Sequence, residues 1–213
     1  MKAVELIAPL YLEISKSEIG SKALQLMQDN HVSHLPVVED KKYLGIVSEE
    51  SCEDVDVMEP QLMPFKIGPN VHFWDVLKFF KTSGVSVIPV VTEEDAFLGV
   101  ITKSHLVDLA GEISTVQDEG AIVELMIAPR DYSMSQIAQI VEGNDVKIHS
   151  VLVNEMANEN LIMVVLKLNS VHISGVMQTF SRYNMSVRRV YNYTDDMDWL
   201  NDRKDGLIRY LDF

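Results

Sequence analysis

The feature that most constrains this chain is an internal repeat. The stretch "HVSHLPVV" at residues 31–38 returns as "GVSVIPVV" at residues 84–91, and "LGIVS" at 44–48 returns as "LGVIT" at 98–102. The two pairs occur in the same order and at nearly the same spacing, 53 and 54 residues. A chain that repeats itself at a fixed period of this size is built from copies of one supersecondary unit. The sequence therefore predicts two similar units in tandem.

Each copy also predicts the order of its own elements. Apolar residues at helical spacing precede the first landmark of each copy, and they are Ala23, Leu24 and Met27, then Phe73, Val76, Leu77 and Phe80. Two apolar runs around a polar turn predict a pair of strands, and a helix follows. Pro36 and Pro89 are expected at the first residue of their strands, because proline has no N–H to donate to a ladder. A third pair of landmarks, "LIAP" at 6–9 and "VMEP" at 57–60, precedes these elements.

The chain beyond the repeat has a different pattern. A linker at 111–120 precedes an apolar strand at 121–128 and a helix that Ser133 begins and Gly143 ends. Two more strands, a second helix and a last strand follow. This order, β-α-β-β-α-β, is the split βαβ, ferredoxin-like arrangement. The tail at 194–213 is expected to form a helix that docks on its own protein or on a symmetric copy.

Composition excludes several classes of protein. With 213 residues, 47% apolar and 23% charged, the chain can bury ordinary cores. Its net charge of −14 argues against nucleic acid and anionic membranes as partners, because both bind clustered Lys and Arg. The sequence has no run of 18 apolar residues and no signal-peptide pattern, so we expect a cytoplasmic protein. Its single cysteine, Cys52, excludes an internal disulfide.

The repeated motifs resemble two cystathionine β-synthase (CBS) domains in tandem. The resemblance rests on "VSHLPVVEDKKYLGIVS" and "VSVIPVVTEEDAFLGVIT" and implies CBS domain 1 at 1–57 and CBS domain 2 at 58–115, packed as a pseudo-symmetric pair. The expected fold class is mixed, α+β and α/β, with this pair followed by a ferredoxin-like domain at 120–193. Members of the family bind adenosine-containing ligands such as AMP, ATP or S-adenosylmethionine between the two halves, and they regulate an attached domain.

The resemblance also implies where such a ligand would bind. Backbone groups beside a proline at a strand start could contact a base, and a hydroxyl at a helix N-terminus suits a phosphate. The expected binding residues are His34, Leu35, Pro36, Ser48 and Ser51 in the first copy and Ile88, Pro89, Thr102, Lys103 and His105 in the second. For Ser48 and Thr102 the alternative role is helix capping alone, and for His34 and His105 it is an ordinary surface or core imidazole.

Both copies depart from the family pattern at one position. The family places an Asp for the ribose hydroxyls three residues after the Ser or Thr, where this chain has Ser51 and His105. A charge-assisted contact of that kind is worth about 1.5–3 kcal/mol, so the change predicts weaker nucleotide binding. The second cleft is favoured for a phosphate because Lys103 and His105 flank it, whereas Glu49, Glu50, Glu53 and Asp54 surround the first.

The block at 120–193 resembles an ACT domain, a module that binds amino acids in many relatives. A CBS pair followed by such a module is the layout of bacterial acetoin-utilisation accessory proteins. Tyr132 stands where an ACT domain has a glycine that admits the ligand, which favours a role in interaction and dimerisation over ligand sensing. We therefore expect a homodimer that has a further, unidentified protein partner.

The sequence nominates no catalytic or metal-binding residue. We found no glycine-rich phosphate loop, nucleophile elbow or acid–base pair, and His31 with His34 lacks the pattern of a metal site. The prediction is a non-enzymatic regulatory protein that requires no cofactor and binds AMP, ADP, ATP or S-adenosylmethionine as a regulatory ligand. The alternative is a structural or interaction module whose nucleotide sites have degenerated.

Overall fold

A computed structural model describes residues 1–53, 61–112, 114–156 and 159–191. The chain divides into two compact units, Met1–Glu112 and Ile113–Phe213. In the part of the chain that is described, no helix is both long and apolar enough to cross a membrane.

The N-terminal unit contains both repeats. Its elements are α1 (Ser21–Asp29), β1 (His34–Glu39), β2 (Lys42–Ser48), α2 (Glu49–Glu53), α3 (Phe73–Ser83), β3 (Val87–Val91), β4 (Phe97–Thr102) and α4 (Lys103–Gly111), and short 3-10 turns cover Ala3–Leu6 and Lys16–Glu18. β1 pairs with β2 and β3 with β4, each pair as a two-stranded antiparallel sheet. Each repeat therefore has the predicted order of helix, strand, turn, strand and helix.

The two prolines lie inside their strands, so their predicted place at the strand start is wrong. Pro36 is the third residue of β1 and Pro89 the third of β3. The carbonyl of Pro36 accepts from the N–H of Ile14 at 3.1 Å, and that of Pro89 accepts from Ile67 at 3.0 Å. The N and O of one residue in an antiparallel strand point to the same side, so each proline turns its missing N–H away from its partner strand. No ladder bond is lost.

Each repeat is completed by the segment that precedes the other repeat. The N–H of Ala8 donates to the carbonyl of Val100 in β4 at 2.8 Å, and Met63 and Ile46 of β2 exchange two bonds of 2.9 Å. The structural counterpart of residues 6–9 is thus residues 61–64, and the predicted match at 57–60 lies outside the described residues. The offset from residues 6–9 to residues 61–64 is 61 − 6 = 55, close to the 53 and 54 of the other two pairs of landmarks.

The helices of the N-terminal unit bury most of the predicted apolar stripes. Ala23 and Met27 are buried in one core, and Val76 and Phe80 in a second. Leu77 was expected on the same face, but it is 36% exposed. Both cores draw on residues of both repeats and merge the unit into one body.

The C-terminal unit is an antiparallel sheet with helices packed on it. Its elements are α5 (Ser114–Gln117), β5 (Ile122–Ile127), α6 (Met134–Glu142), β6 (Ile148–Met156), β7 (Leu161–Leu168), α7 (Ser174–Arg182) and β8 (Ser186–Tyr191), with a 3-10 turn at Pro129–Asp131. The strand order is β6-β7-β5-β8. From β5 to β8 the chain follows the β-α-β-β-α-β order that the sequence predicts. Its assignment as an ACT-like domain stays a prediction, and the predicted helix at 194–213 lies outside the described residues.

Alternate residues of the central strands form the core of this unit. Val123 and Leu125 of β5 and Val164 and Leu166 of β7 are fully buried against α6 and α7. Ser133 caps α6 as predicted, because its Oγ accepts from the N–H of Gln136 at 3.4 Å. The helices therefore cover one face of the sheet.

Candidate functional site

The start of α4 carries three of the predicted binding residues. The Thr102 Oγ1 accepts from the N–H of His105 at 3.1 Å and lies 3.1 Å from the Oγ of Ser104. Thr102 is only 2% exposed, so its hydroxyl caps the helix from inside the protein. Lys103 is exposed, and its Nζ lies 5.7 Å from the centroid of the Phe80 ring. The helix N-terminus and Lys103 together make this end of α4 electropositive.

The start of α2 has the same caps and the opposite charge. The Oγ of Ser48 accepts from the N–H of Ser51 at 3.2 Å, and the two hydroxyls are 2.9 Å apart. Glu49, Glu50 and Glu53 lie on this short helix. In both repeats the residue that replaces the family Asp is therefore bonded through its backbone to the capping hydroxyl. Capping alone accounts for the observed contacts of Ser48 and Thr102.

His34 lies where the two repeats meet. Its Nδ1 accepts from the backbone N–H of Ser86 at 3.3 Å, and it lies 3.0 Å from the Oγ of Ser33 and 3.2 Å from the Oγ of Ser86. The Oγ of Ser86 in turn accepts from the N–H of Ser33 at 2.9 Å. Because a backbone N–H can only donate, Nδ1 is an acceptor and the proton of the neutral ring is on Nε2.

Burial and charge disfavour protonation of the His34 ring. Desolvation lowers the pKa of His34 below its usual value, and the positive charge of Lys103 lowers it further. His34 of the first repeat and Lys103 of the second are thus close enough to interact electrostatically. The structure brings this pair together across the two repeats, which the sequence alone did not show.

Four predicted residues of the strands are buried rather than exposed at an edge. Leu35 and Ile88 have no exposed surface, and Pro36 and Pro89 are also buried. The sequence predicts unpaired backbone groups beside the prolines. Instead, Ile14 and Ile67 occupy the outer edges of β1 and β3. The carbonyls of Pro36 and Pro89 are hydrogen-bonded, so the prediction that they are free to bind a base is wrong.

Ser33 and Ser86 are the residues that sequence reasoning missed. They are the serines of "VSHL" and "VSVI", 53 positions apart, and they join the repeats through the His34 network. The sequence could have indicated them, because a serine precedes the buried strand in both repeats and a polar side chain there needs a hydrogen-bonding partner.

Other chemistry-bearing features lie apart from this region. A cavity of about 680 Å³ lies between the segment 66–71 and the turn at 91–94, and a smaller one of about 180 Å³ lies between α6 and α7. Neither is lined by the predicted binding residues. Cys52 is buried, which raises the pKa of its thiol. Within the described ranges, no group of three or more His, Cys, Asp or Glu side chains could hold a metal ion. Tyr132 packs against the C-terminal core.

Part of this chain is similar in sequence to an archaeal enzyme and to an archaeal protein that is uncharacterised. An inosine-5'-monophosphate dehydrogenase from Korarchaeum cryptofilum is 26% identical over 163 residues, which are 71% of this chain and 33% of that enzyme. An uncharacterised protein from Methanocaldococcus jannaschii is 26% identical over 114 residues, which are 50% of this chain and 43% of the relative. The chain thus spans less than half the length of either relative.

Several solved structures resemble about half of the chain. A candidate acetoin utilization protein from Vibrio cholerae is 21% identical with a TM-score of 0.47, over 55% of this chain and 95% of its own. A CBS domain pair/ACT domain protein from Thermotoga maritima is 18% identical with a TM-score of 0.44, over 53% of this chain and 98% of its own. The protein CBSX2, solved in complex with AMP, is 19% identical with a TM-score of 0.46, over 53% of this chain and 98% of its own.

The family comparison agrees with the repeat and with the paired hairpins. The CBS domain model matches this chain twice, at residues 17–55 and at residues 53–112. Each match contains one pair of strands and the helix that follows it. Residues 17–112 of this chain are therefore a tandem pair of CBS domains.

Proposed function

We propose that this protein is a non-enzymatic regulator whose CBS pair binds one adenosine-containing ligand, AMP, ADP, ATP or S-adenosylmethionine, with its charged end at the start of α4. The observation that carries the proposal is the difference in charge between two equivalent helix starts. Lys103 and His105 occupy the positions at α4 that Glu49 and Ser51 occupy at α2.

The contacts of His34 support the same cleft. Its neutral ring carries a proton on Nε2, so the free ring nitrogen is a donor and suits an anionic oxygen. Lys103 adds a full positive charge within electrostatic reach of that ring. A phosphate or carboxylate placed between them would relieve the unfavourable field that Lys103 exerts on His34. The equivalent pair on the other side, Val87 and Glu49, offers no cation.

The ligand would be held more by its charged end than by its ribose. Ser51 and His105 replace the carboxylate that the family uses for the ribose hydroxyls, and their backbone N–H groups bond the capping oxygens. We therefore expect an affinity about ten- to a hundredfold below that of relatives that keep the Asp. Ligands with more negative charge should bind more tightly.

Regulation would follow from a shift in population. His34, Ser33 and Ser86 join the two repeats at one point, so a ligand that contacts His34 favours one packing of the two halves over another. The C-terminal unit, as an ACT-like module, would support a homodimer or a further protein partner. The packing of Tyr132 against its core favours assembly over amino-acid sensing.

Calorimetric titration of the full chain with AMP, ADP, ATP, S-adenosylmethionine and NAD tests the proposal. We expect one ligand per chain, and thermal stabilisation of about 2.7 kcal/mol at 100 times the dissociation constant. Lys103→Glu should weaken binding at least tenfold, because it places a carboxylate beside the anion. Glu49→Gln, at the equivalent position of the first repeat, is the matched control and should leave the affinity unchanged.

Two results would decide against this function. Binding that is strengthened by Glu49→Gln and unchanged by Lys103→Glu would move the ligand to the other cleft. No heat and no thermal shift with any of the five ligands at millimolar concentration would favour the alternative, a structural or interaction module. That alternative is supported by the capping contacts, in which both predicted phosphate-binding hydroxyls accept from a helix N–H.

A further inference from the structure

One face of the C-terminal sheet lies opposite its helices. The buried residues of β5 and β7 point towards α6 and α7, and successive side chains of a strand alternate between faces. We call the opposite side the open face, and it is defined by Ile122, Glu124, Met126, Leu152, Met163 and Val165. The register confirms that these residues share a face, because Leu152 pairs with Val165 and Met163 with Met126.

The centre of the open face is apolar, and polar residues surround it. An antiparallel sheet that faces water on one side normally carries polar residues there. Ile122, Met126, Leu152, Met163 and Val165 form an apolar centre, in which Leu152 is 54% exposed, and the register places Ser150, Asn154, Lys167 and Arg189 on the same face. A contiguous apolar patch on a protein surface marks a site of interaction. The face is therefore suited to cover by another segment of protein.

Positive charge lies along one side of the open face. A guanidinium nitrogen of Arg188 lies 3.6 Å from the Sδ of Met163, and one of Arg189 lies 3.4 Å from the Oη of Tyr191. Among the residues that the structure describes, neither arginine is within 4.0 Å of a carboxylate oxygen. The open face thus combines apolar side chains with two cations, of which Arg189 pairs in register with Glu124 and interacts electrostatically with its carboxylate.

The sequence after β8 has the matching pattern. β8 ends at Tyr191, beside Arg189, and 22 residues follow. Carboxylates come first, at Asp195, Asp196 and Asp198, and then apolar residues, at Trp199, Leu200, Leu207, Ile208 and Leu211. Even at the 1.5 Å rise of a helix, 22 residues reach about 33 Å. Four strands spaced about 4.8 Å apart are only about 15 Å wide. The segment is therefore long enough to cross the sheet.

We propose that residues 192–213 cover the open face of the sheet in the same chain. The carboxylates at 195–198 pair with Arg188 and Arg189, and the apolar residues that follow pack on Leu152, Met163 and Val165. The interaction is independent of any nucleotide in the CBS pair. It assigns a binding surface to a face that would otherwise expose apolar side chains.

Tryptophan fluorescence of the full chain tests this proposal. The chain has two tryptophans, and Trp74 is 62% exposed, so Trp74→Phe leaves Trp199 as the single probe at little structural cost. We expect Trp199 to be shielded from acrylamide. Leu152→Asp should make it severalfold more accessible. Val153→Asp is the matched control, because Val153 is 45% exposed on the same strand but pairs with the core residue Val164.

Reversal of the charges on the arginines gives a second, independent test. Arg188→Glu together with Arg189→Glu should raise the accessibility of Trp199, and Asp195→Lys with Asp196→Lys should restore the shielding in that background. An exposed Trp199 in the Trp74→Phe chain overturns the proposal. It is also overturned if Leu152→Asp and Val153→Asp change the accessibility of Trp199 equally. Shielding that disappears on dilution also overturns it, because the face would then be covered by a second copy of the chain.

Discussion

Gly45 and Gly99 show how a single residue position can be fixed by close approach of the chain. They have φ angles of +156° and +145°, and they belong to the equivalent "LG" steps of β2 and β4. A Cβ on Gly45 would lie 2.7 Å from the Cβ of Leu62, and one on Gly99 would lie 2.5 Å from the Cγ2 of Ile7. Both glycines thus admit the exchanged segment that closes their repeat.

We predict that Gly99→Ala lowers the free energy of unfolding by about 1–3 kcal/mol, because it adds both backbone strain and a clash with Ile7. Gly111→Ala is the matched control. Its Cβ would meet nothing within 4 Å, and it lies in the last turn of α4. That variant should change stability by less than about 1 kcal/mol. Urea denaturation measures both, and equal effects would contradict the role given to Gly99.

At the scale of elements, α4 depends on the cap that Thr102 provides. The first N–H groups of a helix have no partner within it, and Thr102 satisfies that of His105. The same residue ends β4, so one side chain fixes the junction between strand and helix. Lys103 and His105 follow directly, and their positions depend on this junction.

Thr102→Ala should therefore cost about 1–2 kcal/mol of stability, since the N–H of His105 loses its acceptor. Thr102→Ser keeps the hydroxyl and should recover most of that free energy. Thermal unfolding of both variants gives the comparison. If serine is no better than alanine, the methyl group of Thr102, and not its cap, contributes the stability.

For the whole N-terminal unit, the decisive feature is the exchange of segments between repeats. The N–H of Ala3 donates to the carbonyl of Val71 at 2.8 Å, and Ala3 and Leu6 are fully buried in the core that contains α3 and β4. The beginning of the chain thus stabilises the repeat that is farther away in sequence. Both cores contain residues of both repeats, so we expect the two CBS domains to unfold as one cooperative body.

We predict that Leu6→Ala destabilises the protein by about 2–5 kcal/mol and speeds hydrogen exchange in α3 and β4 of the second repeat. Val4→Ala is the matched control, because Val4 is 45% exposed on the same turn. It should change stability by no more than about 0.5 kcal/mol. Faster exchange in α1 alone would contradict the exchange of segments.

Much of the local structure could be predicted from the sequence. The order of elements in each repeat, the caps at Thr102 and Ser133 and the β-α-β-β-α-β order follow from short-range patterns. Such patterns work because propensity, periodicity and capping involve residues within a few positions of one another. The choice of the second repeat as the binding site stays a prediction, although the charges behind it, Lys103 and His105 against Glu49, are visible in the sequence.

By itself, then, the sequence determined that two equivalent units exist and which helix start carries positive charge. Only the tertiary structure decided that residues 61–64 bond to β2 of the first repeat, that Pro36 and Pro89 lie inside strands, and that His34 meets Ser86. Each of these depends on which edge of a two-stranded sheet is covered and by what. The partners are about 20 to 90 residues apart in the chain, and no local pattern encodes a contact between such distant segments.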